Sequence, residues 1–160
     1  MKKEILKCLK ENARMTSVEI ARRVGADSST IEKEIKKLEK SGIIKGYQAI
    51  VSPSNDGDGL VRAIIEVKVR PEREGGFDKV ARRISKFPQV VSVNLVSGSF
   101  DLEIETQGET LQEVANFVSS KLASIDGVLS TNTCFLLKRY KIAGRILDDG
   151  EEYERLKVSP

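Results

Sequence analysis

The chain has 160 residues, 39% hydrophobic and 32% charged, with a net charge of +3, a balance that supports one or two folded domains and excludes a disordered tail. No apolar run approaches the roughly 18 residues of a membrane span, and Met1, Lys2, Lys3 and Glu4 do not open a signal peptide, so a cytoplasmic protein with no membrane partner is expected. Histidine is absent and the two cysteines, Cys8 and Cys134, are far apart; with the commonest general base and metal ligand missing, no catalytic residue, metal or cofactor is expected.

Charge is unevenly placed. Residues 1–52 carry 12 Lys and Arg against 7 Asp and Glu, and residues 53–160 carry 15 against 17, so the N-terminal third attracts polyanions more than the rest. A first helix is predicted over residues 2–12, with Ile5, Leu6, Leu9 and Ala13 on one stripe. Thr16 and Glu19 have capping-box spacing and open a second helix, in which Val18, Ala21 and Val24 face inward. Gly25 ends it through a positive φ, and Asp27 is placed to cap a third helix after a turn of three or four residues.

The third helix, predicted from Ser28 to Lys40 with Gly42 as its stop, has two unlike faces. At about 100° per residue, Ile31, Ile35 and Leu38 form one apolar stripe, and Lys33, Lys36, Lys37 and Lys40 gather opposite it beside Ser29. An ordinary solvated helix with Glu/Lys pairs would share part of this pattern. As the last of three helices after a short turn, however, it matches a helix-turn-helix entering the major groove of double-stranded DNA. Ser28, Ser29 and Thr30 then lie near base edges and the four lysines near phosphates. Two β-prone runs around Lys45 and Gly46 suggest a wing, with Lys45 as a further phosphate contact.

Residues 52–59 hold no apolar side chain and read as a linker, which gives a DNA-binding domain over 1–52, a linker over 53–60, a second domain over 61–141 and a C-terminal extension over 142–160. The second domain reads as strand, helix, strand, strand, helix, strand. Residues 61–70 alternate strictly. Val80, Ala81, Ile84 and Phe87 have helical spacing before Pro88, and strands 90–96 and 100–106 flank Gly98, where a positive φ is expected. Thr110 and Glu113 open a helix through Leu111, Val114, Ala115, Val118 and Leu122 to Gly127, and a last strand runs from Val128 to about Tyr140. The fold class is α+β: a winged helix-turn-helix followed by a ferredoxin-like βαββαβ sandwich. Apolar residues on both faces of the last strand (Leu129, Phe135 and Leu137 against Cys134 and Leu136) call for a second subunit over the open sheet face.

Asn12-Ala13-Arg14, Val24-Gly25, Leu38 through Ile44, Gly46-Tyr47, Val96 through Asp101 and Gly127-Val128 through Thr133 together resemble the leucine-responsive regulatory protein family (Lrp/AsnC type) over residues 3–141. The resemblance implies a transcription regulator with an effector-sensing domain that forms homodimers and in some members octamers. It also implies an amino-acid effector held near the contact between dimers, at positions matching Gly98, Ser99, Phe100, Asp101, Thr131 and Thr133. A turn with free amides suits a carboxylate, and Asp101 suits an ammonium; alternatively the aspartate caps its own turn. The Gly- and Asp-rich linker and the acidic residues 148–154 depart from the family pattern. Two other classes stay open. One is a siroheme-decarboxylase-like enzyme, which would be expected to use the histidine this chain lacks; the other is a ligand-binding or assembly module without DNA binding, against which the basic stripe argues.

Overall fold

The structure, a computed structural model, describes residues 1–51, 59–71 and 76–147. Most of the predicted linker and all of the acidic tail from 148 onward lie outside the described residues. The chain divides into two units, Met1–Ile50 and Val51–Pro160.

In the first unit, α1 (Lys2–Glu11), α2 (Ser17–Val24) and α3 (Ser28–Lys40) enclose a small core of Ile5, Cys8, Ile20, Ala21, Ile31 and Leu38. The capping box forms as its spacing requires: the Thr16 hydroxyl accepts from the Glu19 amide, and the Glu19 carboxylate accepts from the Thr16 amide at 2.7 Å. Gly25 ends α2 in the left-handed region, at φ 71°. One inward assignment is corrected. Val18 is about half exposed and its place in the core is taken by Ile20, because in a helix of only eight residues the choice of inward phase rests on few apolar positions.

In the second unit, β1 (Val61–Val69), β2 (Val90–Leu95), β3 (Leu102–Gly108) and β4 (Val128–Phe135) make one antiparallel sheet of order β2-β3-β1-β4. The connecting helices are α4 (Asp78–Ile84) and α5 (Leu111–Phe117). Alternation along β1 sends Ala63, Ile65, Val67 and Val69 to the buried face, where Val80 and Ile84 of α4 and Val114 and Phe117 of α5 join them in the core. Phe87 and Phe117 meet edge to face at 5.4 Å. The one buried polar side chain among the described residues, Thr106, donates to the Gln89 carbonyl at 2.8 Å.

Four expectations for this unit are revised. Gly98 does not have a positive φ; the β2–β3 connection is a wider loop closed by the Val96 amide donating to the Asp101 carbonyl, and such a loop can turn without a left-handed residue. The second helix leaves α geometry after Phe117 and continues as a π turn over Val118–Leu122, with Leu111 exposed at its start. The last strand stops at Phe135, and a two-residue hairpin of β5 (Lys141–Ile142) and β6 (Arg145–Ile146) follows, straddling the expected boundary at 141. Finally, the open sheet face is mostly polar. The register sets Glu66 opposite Glu103 and Asn132, and Ile64 opposite Glu105 and Cys134. The carboxylates are partnered, Glu66 by Asn132, Glu103 by Asn94 and Glu105 by Arg139.

Candidate nucleic-acid interface and ligand cavity

The α2–α3 turn occupies only residues 25–27, and its chemistry fixes where α3 begins. Asp27 accepts from the amides of Ser29 and Thr30 and from the Ser29 hydroxyl, at 2.9, 3.3 and 2.5 Å. These bonds, that to the Ser29 hydroxyl foremost, hold its carboxyl below the usual carboxylate range, with a smaller contribution from the Lys33 charge. Ile31 and Leu38 are buried and Ile35 partly so, which turns Lys33, Lys36, Lys37 and Lys40 outward, all four exposed.

The lysines are not equivalent. Lys36 pairs with Glu32 at 2.7 Å and Lys37 with Glu34 at 3.5 Å, whereas Lys33 and Lys40 make no ion pair among the described residues. Both pairs are largely solvent exposed and hold the lysines by only tenths of a kcal/mol, about 0.2–0.5 for a helical pair, so phosphate competes for them easily. At the N-terminal end of α3, Ser28 is partly buried and Ser29 is turned back onto Asp27. Thr30 is exposed and is the freest of the three hydroxyls proposed to reach bases.

The expected wing hairpin does not form: residues 45–51 contain no strand. The amides of Ile43 and Ile44 instead donate back to the Leu38 carbonyl, and the Tyr47 hydroxyl donates to Glu39 at 2.8 Å. These bonds tie the segment to the end of α3 and outcompete a two-stranded ribbon, which is marginal by itself. Lys45 is exposed on this segment. Partial burial and the Glu39 carboxylate push the Tyr47 hydroxyl above its ordinary range.

The six effector residues implied by resemblance do not converge within one chain. Thr131 and Thr133 stand on the helix-facing side of β4, opposite Val67 and Ile65. They line a shallow cavity of about 440 Å³ together with Phe135, and its other wall is Ala115, Val118, Ser119 and Ala123. None of Gly98, Ser99, Phe100 and Asp101 belongs to that lining. They lie toward β3, with β1 between them and β4. Nothing in the sequence marked the helical wall, since Ala115, Ser119 and Ala123 face the cavity only because of how α5 and its π turn lie beside the sheet edge.

Asp101 is also engaged structurally. Its amide donates to the Val67 carbonyl at 3.0 Å, and its Oδ2 accepts from the Val69 amide at 2.8 Å. It therefore caps the neighbouring strand rather than its own turn. Asp101→Ala is expected to cost about 1–3 kcal/mol by leaving a part-buried donor unmet, and Asp101→Asn, which keeps an acceptor, is expected to recover most of that. Thermal unfolding of the two variants checks it, and an alanine variant as stable as the parent would contradict it.

A three-helix unit with a short turn into a cationic helix, linked to a ferredoxin-like sheet with a cavity at its edge, defines a DNA-binding regulator with a ligand-binding domain. Comparison with known proteins bears this out. Residues 1–45 match the family of winged helix-turn-helix DNA-binding domains, and residues 62–146 match the Lrp/AsnC ligand binding domain. The chain is 43% identical to the Bacillus subtilis HTH-type transcriptional regulator YugG, across 98% of this chain and 95% of that one. It is 29% identical to the leucine-responsive regulatory protein of Rhizobium meliloti, across 89% and 91%. Among solved structures, a transcriptional regulator from Neisseria meningitidis in complex with L-Met is 30% identical, with a TM-score of 0.66 over 92% of this chain and 95% of that one. The chain belongs to the Lrp/AsnC family of transcriptional regulators. Among the described residues no helix is long and apolar enough to cross a membrane.

Proposed function

We propose that this regulator binds double-stranded DNA through α3, with Lys33, Lys36, Lys37, Lys40 and Lys45 on phosphates and Ser28, Ser29 and Thr30 near base edges. Its affinity is set by an amino acid held in the second domain. The observation that carries the reading is the one-sided charge of α3: its apolar stripe is buried and all four lysines stand in solvent. It acts as a homodimer or larger assembly in the cytoplasm, and two copies of α3 read half-sites about one helical turn apart. The amino-acid assignment is supported by the ligand-binding family model and by the L-Met complex of the Neisseria relative.

Because β1 separates the Gly98–Asp101 turn from Thr131 and Thr133 in one chain, the turn reaches the ligand from an adjoining copy. Selection of bound duplexes from a random pool tests the DNA reading. A two-fold-related motif with half-sites about 10 base pairs apart, or a multiple, is expected. A recovered pool without consensus would contradict sequence-specific binding.

A further inference from the structure

Resting on the proposed amino-acid effector, we infer that the effector of this chain has an uncharged aliphatic side chain, seated between α5 with its π turn and the edge strand β4. The cavity has the size of a small-ligand site, and no residue that lines it is charged. Its wall from the helix is Ala115, Ser119 and Ala123, roughly a turn apart, with Val118 behind them, and Phe135 closes the strand side. The hydroxyls of Ser119, Thr131 and Thr133 are the only side-chain polar groups offered there.

A carboxylate or ammonium carried into such a lining gives up hydration and finds no opposite charge, which disfavours acidic and basic side chains. A branched aliphatic or thioether side chain loses only apolar hydration and gains contact with alanine, valine and phenylalanine. The ligand's own ammonium and carboxylate stay at the open mouth. There β4 is the sheet edge, paired on one side with β1 and on the other with nothing among the described residues, so its outward amides and carbonyls are available to both groups.

The test is isothermal titration of the full chain with leucine, valine, methionine, lysine, arginine, aspartate and glutamate, followed by the same panel on Ser119→Asp. Ser119 is exposed, so the substitution places a carboxylate in the wall without disturbing the core. The parent is expected to bind the uncharged members roughly tenfold or more tightly than the charged ones, a preference of about 1.4 kcal/mol or more. Ser119→Asp should weaken leucine and gain lysine by a similar factor. A parent preferring a charged side chain would overturn the inference while leaving an amino-acid effector in place. Heat absent from every titration would overturn both. Leucine binding that is identical in parent and variant would remove the ligand from this cavity and overturn the placement.

Discussion

Replacing Lys33, Lys37 and Lys40 together with alanine is expected to flatten the dependence of log affinity on log salt by roughly 2 to 3 units per DNA-binding unit. Each lysine that neutralises a phosphate contributes about 0.9 to that slope through counterion release. The loss should be the same on specific and random duplexes, since these are phosphate contacts and carry no sequence information. Alanine keeps the helix, being the strongest helix former, and all three side chains lie on the exposed face of α3. Lys36→Ala alone is a graded comparison. Its ammonium is already held by Glu32 at 2.7 Å, so its removal also frees a carboxylate that repels phosphate. Fluorescence anisotropy over a salt series measures both variants, and an unchanged slope in the triple variant would remove this face of α3 from the interface.

Ile31→Ala is expected to unfold the first unit while sparing the second. Ile31 has no exposed surface and packs with Ile5, Ile20 and Leu38, so its truncation costs about 2–5 kcal/mol. A unit of roughly 50 residues is stabilised by only about 2.5–7.5 kcal/mol at the usual per-residue value, so the loss takes most of it. The second unit has a separate core around Ile65, Val67, Ile104 and Leu122. Hydrogen exchange should therefore show α1 to α3 deprotected and β1 to β4 unchanged, with DNA binding lost and amino-acid binding kept. Uniform deprotection of both units would show that they fold as one.

What could be read in the sequence was what local chemistry decides. Thr16 with Glu19, and Asp27 before Ser28, fixed two helix starts because a capping bond spans three residues at most. The stripe of Ile31, Ile35 and Leu38 fixed which face of α3 is wet, and the alternation of 61–69 fixed the face of β1 that meets the helices. Strand pairing was illegible in detail. Phe135 and Leu137 look equally suited to a strand, yet one ends β4 and the other is 96% exposed, a difference set by where β1 stops offering a partner. Residues 43–51 are as β-prone as many hairpins, and the competing bonds from Ile43, Ile44 and Tyr47 to α3 involve residues whose meeting no local pattern announces.

The candidate site divides in the same way. The lysine face of α3 is a property of one helix and was visible at once. The ligand cavity needs α5, its π turn and β4 brought side by side, so only its threonines were named in advance, through resemblance. The alanines and the serine that decide which side chain fits were not. Asp101 was named as a ligand group from its turn, but its bond to the Val69 amide is a contact across 32 residues.

The central claim is that α3 enters the major groove, and dimethyl sulfate probing of a selected duplex tests it most directly. The reagent reports guanine N7 in the major groove and adenine N3 in the minor groove. Protection of guanine N7 in two half-sites about one helical turn apart, with adenine N3 in those half-sites unaffected, is the expected result. Protection confined to adenine N3, or none at low salt where the protein is fully bound, would contradict it.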